Sequence, residues 1–241
     1  MTRQPHIQLE ETLGLRKAIL VGDPARLDVL LDFLEDGHEL GHNREFRSIS
    51  GTYKGVPILG ISTGIGAPST AIAVEELAQI GIKEAIRVGS AGAYQSSIAL
   101  GELIIGTASV RDDGLTSKYV DSALPALPSL KFLMKAKVLA PQAHFGMIRS
   151  HDGFYMDHNE EVEIFWSEHG VLGADMESST LLVLGHLRGI QTLSILNNVV
   201  LWGQDVQEGI NDLVNSEENV SQGEKESLKL ALDILGDNRG E

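Results

Sequence analysis

Three arginines stand beside tight turns in the first ninety residues: Arg26 after Gly22-Asp23-Pro24, Arg44 before Glu45-Phe46, and Arg87 before Gly89-Ser90-Ala91-Gly92. A guanidinium presents a planar fork of donors that matches phosphate. Glycine turns let backbone N–H groups reach the same oxygens. The chain is otherwise acidic, with 34 Asp+Glu against 19 Lys+Arg, so arginines kept at such turns point to a pocket for a small anion. Arg87 is the most informative of the three. It closes the apolar run Ala85-Ile86-Arg87-Val88, where a charge is costly unless paired or functional. Ser90 adds a hydroxyl and an N–H. Gly22 and Arg26 fall where a strand enters a helix, a place that suits an anion. Taken alone, that segment is also what a surface arginine beside a common turn looks like. Asp175-Met176-Glu177 follows the apolar stretch Val171-Leu172-Gly173-Ala174. A carboxylate there can accept from two neighbouring hydroxyls, as on a ribose; ordinary acidity at a helix N-terminus is the alternative.

The elements that must hold these residues are legible in outline. Ala18 to Val21, Val56 to Ile61, Ala85 to Val88, Leu103 to Val110, His144 to Ile148 and Gln191 to Val200 read as strands. Leu27, Leu30, Leu31 and Leu34 recur at helical spacing. A helix opening at Pro68 and stopped by Gly81 follows the turn Thr63-Gly64-Ile65-Gly66. Further helices are predicted for Phe132 to Leu139, Met176 to Leu187 and Glu224 to Leu235. Residues 111–128 carry two prolines and little periodicity, and read as a long loop or a lid over the site. Strand–turn–helix order repeated this often predicts an α/β domain with helices covering a mainly parallel sheet. The polar arm around His6 is expected to be disordered unless it docks on another subunit.

Composition narrows the function classes. The chain has 241 residues, 42% hydrophobic and 22% charged, enough for a substantial core. A formal charge of −15 argues against nucleic acid or an anionic membrane as partner. The absence of cysteine removes disulfides, thiolate chemistry and cysteine-ligated zinc. No apolar segment reads as a signal peptide or a membrane span, so a cytoplasmic protein is expected. The histidines show no metal-binding spacing.

Taken together, the segments Pro5-His6-Ile7, Val21 to Arg26, Asn43-Arg44-Glu45-Phe46, Ser62 to Ser69, Arg87 to Gly92, Asp152-Gly153-Phe154-Tyr155 and Asp175-Met176-Glu177-Ser178 resemble the hexameric nucleoside phosphorylase family. That family contains uridine phosphorylases, bacterial-type purine nucleoside phosphorylases and archaeal methylthioadenosine phosphorylases. The segments occur in its order, and the resemblance covers nearly the whole chain. It implies a single three-layer α/β domain over residues 1–241 around a mixed, partly barrel-like sheet. It implies a pentosyltransferase of nucleoside salvage that splits a ribonucleoside with inorganic phosphate into free base and ribose 1-phosphate. Gly22, Arg26, Arg87 and Ser90 would bind phosphate, with Arg44 entering from a neighbouring subunit. His6, also from the neighbour, would hold the ribose 5′-hydroxyl. Glu177 and the Met176 backbone would hold the other ribose hydroxyls, and Phe154 would lie against sugar or base. The family assembles as dimers with shared sites, usually three per hexamer, and needs no organic cofactor. Glu45, Ile65 and Ser69 match positions that hold a potassium-like cation between subunits in some members.

The base is less clearly marked. Purine members place an aspartate after the strand that follows the Met-Glu helix, where this chain has Leu196-Asn197-Asn198-Val199. Asn198 can donate a hydrogen bond to a base but cannot transfer a proton as Asp can. Uridine phosphorylases read uracil with Gln and Arg after the Phe-Tyr pair, where His158 and Glu160 stand here. The resemblance is greatest to uridine phosphorylase. A purine or methylthioadenosine phosphorylase is the nearest rival. A nucleosidase has no need of three arginines, and a non-catalytic nucleoside sensor is the remaining alternative.

Overall fold

The computed structural model describes residues 3–203 and 218–237. Its strands are β1 (Lys17–Val21), β2 (Glu35–Asn43), β3 (Phe46–Tyr53), β4 (Val56–Ser62), β5 (Glu84–Ala93), β6 (Leu103–Asp112), β7 (His144–His151), β8 (Gly173–Asp175) and β9 (Gln191–Val200). Its helices are α1 (Arg26–Leu31), α2 (Ala67–Gln79), α3 (Thr116–Tyr119), α4 (Leu130–Leu139), α5 (Asn159–Glu168), α6 (Ser178–Arg188) and α7 (Glu218–Gly236).

The central strands are apolar almost without interruption because both faces are covered. In β1, Ala18 and Leu20 point to one side and pack with Val74 and Leu77 of α2 and Leu181 and Leu184 of α6. Ile19 and Val21 point to the other and join Leu27 of α1, Phe132 of α4 and Leu228 and Leu232 of α7. This alternation, the period of a strand, divides the core in two and makes the fold three layers. Each of the Val, Leu, Ile and Phe side chains among these contributes roughly 1.5–3 kcal/mol by leaving water.

The sheet runs β2-β3-β4-β1-β5-β8-β7-β6-β9, and β5 also pairs with β9. That extra pairing closes β5, β8, β7, β6 and β9 into a five-stranded barrel from which β1, β4, β3 and β2 extend as a wing. The expected mainly parallel sheet is mixed instead: five pairings are parallel and four antiparallel. The hairpin of β2 and β3 was not anticipated, because β2 reads Glu-Asp-Gly-His-Glu-Leu-Gly-His-Asn and is exposed along most of its length. Helix α5 buries none of its residues and so carries no clear apolar stripe. Helix α1 stops at Leu31, short of the Leu34 that spacing suggested, and α7 starts before Glu224.

Two segments differ from their sequence reading in a way that bears on the site. Residues 111–128 are tied down by hydrogen bonds rather than irregular throughout. Arg111 donates to Thr116 Oγ1 and to the carbonyls of Val120, Asp121 and Leu124. Asp113, buried, caps α3 through Thr116 and accepts from Ser179 Oγ of α6. The arm around His6 is ordered on its own chain. Glu76 of α2 accepts from the backbone N–H of His6 and of Ile7 and pairs with His6 Nδ1 at 2.6 Å. Ile7 and Leu9 are buried against α2. Among the described residues, no helix is long and apolar enough to cross a membrane.

Glu76→Ala leaves the buried Ile7 N–H without its acceptor, and an unsatisfied buried donor costs about 1–3 kcal/mol. The expected result is a lower urea midpoint together with protease cleavage ahead of β1. An arm that stays protease-resistant would contradict this account.

Candidate active site

The cavity of interest measures ≈ 970 Å³ and opens at the carboxyl ends of the strands. Gly22 follows β1, Gly64 follows β4, Ser90 to Gly92 end β5, His151 ends β7, Asp175 ends β8 and Val199 and Val200 end β9. In open α/β sheets this is where ligands are held, because loops diverge there and backbone N–H groups are free.

Arg87 lies at the centre and is only 4% exposed. Its Nε donates to Asp175 Oδ2 at 2.9 Å and its Nη2 to Glu177 Oε2 at 2.5 Å. Burial acts to lower its pKa, but the two carboxylates outweigh that and hold the guanidinium more firmly protonated than usual. Among the described residues its Nη1 has no hydrogen-bond partner. Arg26, at the start of α1, donates from Nη2 to Ser90 Oγ at 3.0 Å and from Nη1 to the Val88 carbonyl at 3.1 Å. Its Nε lies 3.2 Å from Glu224 Oε1 of α7 without hydrogen-bond geometry. Among the described residues, Arg87 Nη1 and Arg26 Nε are thus buried without a hydrogen-bond acceptor, and a buried orphan donor calls for a functional account.

Backbone conformation places these groups. Arg87 and Gly89 share a face of β5, two residues apart. A Cβ on Gly89 would stand 2.5 Å from Arg87 Nη2, so the guanidinium lies across the bare glycine. Gly66 has φ +96, a region open mainly to glycine, and from there its N–H donates to Glu177 Oε1 at 2.6 Å. Glu177 Oε2 also accepts from the Met176 N–H at 3.3 Å. Burial raises the Glu177 pKa above the usual carboxylate range although Arg87 opposes the shift. Oε1 keeps a lone pair beyond the one that Gly66 uses. Asp175 has less to spare: it accepts from Arg87, from Ser150 Oγ at 2.6 Å, and from the N–H and hydroxyl of Ser178.

The structure brings Gly22, Arg26, Arg87, Ser90, Phe154, Met176 and Glu177 to one cavity. His6 and Arg44 do not line it in their own chain. Arg44 is exposed at the tip of the β2–β3 hairpin with φ 55, a strained setting for a side chain of its size. Asn198 corrects an expectation. It is fully buried, its Oδ1 accepts from the N–H of Ala93 and Val200, and its Nδ2 donates to the carbonyls of Ile98 and Ala99. Its polar atoms are committed to holding loops together, and it is not part of the lining. His158 is exposed beside α5 and also outside the lining. Ser69 Oγ lies 2.9 Å from Glu45 Oε1 and within bonding range of the Thr63 carbonyl, while Ile65 is 78% exposed. Sequence reasoning gave no role to His151 or Glu224. Both are single polar residues in polar stretches, and only the tertiary fold brings them to the cavity and to Arg26.

The sequence matches the Phosphorylase superfamily over residues 16–235, so the chain belongs to that superfamily. It is 33% identical over 199 residues to a guanosine phosphorylase of Halorubrum lacusprofundi, covering 81% of this chain and 82% of the relative. It is 33% identical over 243 residues to a uridine phosphorylase of Treponema pallidum, covering 94% and 93%. Among solved structures it is similar to uridine phosphorylase from Vibrio fischeri, with TM-score 0.90 and 43% identity over 98% of both chains.

Gly89→Ala forces the Arg87 guanidinium off its position or the strand apart. Overpacking of this kind costs about 1–3 kcal/mol, to be read as a lower urea midpoint. An unchanged midpoint would mean that Arg87 does not lie across the glycine.

Proposed function

We propose that this cavity carries out the phosphorolysis of a ribonucleoside, with uridine as the favoured substrate and ribose 1-phosphate and free base as products, in nucleoside salvage in the cytoplasm. The observation that carries the proposal is the pair of buried arginines lining one cavity beside a carboxylate with a lone pair to spare. Inorganic phosphate would be held by the guanidiniums of Arg26 and Arg87, with Ser90 and the Gly22 backbone at its other oxygens. Glu177 Oε1 would accept from a ribose hydroxyl. The glycosidic bond would lengthen first, and phosphate fixed beneath the sugar would both offset the positive charge at C1′ and attack it. Positioning and preorganised charge would supply most of the rate. The uridine and guanosine phosphorylases among its relatives support this reaction class.

The electrostatics favour a site shared between subunits. Within one chain, Arg26 and Arg87 face Asp175, Glu177 and Glu224. Two cations against three carboxylates are a poor host for a doubly charged anion. Arg44 at its hairpin tip and His6 on its anchored arm are presented outward, where a second copy can receive them. A dimer, and a hexamer of three dimers, is therefore part of the proposal. Glu45 Oε1, Ser69 Oγ and the Thr63 carbonyl converge, and this oxygen cluster, with the Ile65 carbonyl, would suit potassium at the subunit boundary.

Phosphate-dependent release of uracil from uridine, tested beside thymidine, inosine, adenosine and methylthioadenosine, checks the reaction. Release from a purine alone would assign the base to the guanosine-type relatives, and no release from any would remove the proposal. Arg87→Ala is expected to lower kcat/KM about 10²–10³-fold. Mixing Arg87→Ala with Arg44→Ala chains, each nearly inactive, tests the sharing. Random reassembly of shared-site dimers restores about one quarter of the activity, because one of the two sites in each mixed dimer is intact. No recovery would place Arg44 outside the site. A rise in melting temperature and activity with potassium, against sodium at equal ionic strength, tests the cation.

A further inference from the structure

Beyond Arg87, Ser90 and Asp175, the barrel strands line the cavity with Ala91, Gly92, Ala174, Val199 and Val200, and with one polar ring, His151. His151 is the last residue of β7, directly after Ser150, which holds Asp175. Its Nδ1 lies 2.9 Å from the Gly153 carbonyl. A carbonyl can only accept, so Nδ1 carries the hydrogen, and in the neutral ring Nε2 is left as a lone-pair acceptor. Nε2 has no hydrogen-bond partner among the described residues. Burial, seconded by the Arg149 guanidinium, pushes the His151 pKa below its ordinary value; Asp175 and Asp112 act in the opposite direction without reversing it. The neutral form of the ring is thereby favoured, and in that form Nε2 is the acceptor.

We propose that His151 reads the nucleobase, its Nε2 accepting the ring N–H of a lactam base such as N3–H of uracil. This rests on the phosphorolysis reading above and goes beyond it, since the fold and the arginines are indifferent to the base. Apolar walls supply contact area but little discrimination, whereas a buried acceptor rejects any base that cannot donate to it. Phe154, three residues on, lines the same cavity, so the reader and an aromatic face come from one short segment. His158 and Glu160, which occupy the positions expected to read uracil, lie outside the lining. The same acceptor fits N1–H of hypoxanthine or guanine, which share the lactam edge. It accepts nothing from a base methylated at that nitrogen.

The test compares uridine with 3-methyluridine at saturating phosphate, on the wild-type protein and on His151→Ala and His151→Gln. The wild type should favour uridine about 10–100-fold in kcat/KM, the range for leaving one buried acceptor unpaired. His151→Ala should lose a similar factor on uridine, bring the two substrates close together and leave the KM for phosphate unchanged. His151→Gln, which keeps an acceptor oxygen, should recover part of the preference. Equal turnover of both nucleosides by the wild type would overturn the proposal without recourse to any variant. So would an unchanged preference in a folded His151→Ala. If inosine is the nucleoside released, inosine against 1-methylinosine makes the same comparison. Failure of the wild type to release base from either parent nucleoside would overturn the phosphorolysis reading itself.

Discussion

A guanidinium buried in the middle of the molecule has to be neutralised where it stands, and much of the site follows from that requirement. Arg87 sits on β5, the strand shared by wing and barrel. Both of its carboxylate partners come from β8 and the turn after it. Removing one partner of such a buried pair typically costs 3–5 kcal/mol, so the short strand β8 is held at the barrel by charge as much as by its own few ladder bonds. The demand spreads outward. Asp175 recruits Ser150 and Ser178, and Glu177 recruits the N–H of Gly66. Strand ends that are far apart in sequence are thereby fixed around one cation.

The same arrangement is out of balance by one charge. Carboxylates exceed arginines around the cavity of a single chain, and burial, with Asp175 adding to it, raises the pKa of Glu177 against the pull of Arg87. Groups that would redress the balance sit at the periphery, on a hairpin tip and on an anchored arm.

What the sequence made legible was what burial writes into it. Strands β1, β4, β5, β6 and β9 are covered on most of their length and read as apolar runs. Helix α2 was marked by Pro68 and Gly81. Arg87 stood out because a charge among Ala, Ile and Val needs a reason. Elements that bury little left no such trace: β2 and α5 are polar along most of their length and were missed. Antiparallel pairing could not be inferred from runs that look alike in either direction. At the site, the family resemblance suggested Asn198 as a base contact, yet its buried amide is fully used by four backbone groups. His151 was given no role because its environment is assembled from β7, β8 and the loop after β7, and a tautomer is set by a carbonyl that sequence does not locate.

Barrel closure has a consequence for how the chain behaves in company. A sheet of nine strands would ordinarily have two open borders, each a row of unpaired N–H and C=O groups ready to adopt a stranger's strand. Pairing β9 with β5 removes one border, leaving β2 as the edge among the described residues. On β2 the exposed side chains include Glu35, Asp36, His38 and Glu39, the register slips twice, and Asp36 takes φ 53. Charge and irregularity at that border discourage fibrillar stacking of one copy on another. The polarity that concealed β2 from a reader of the sequence is the property that keeps crowded copies of the protein from adhering through it.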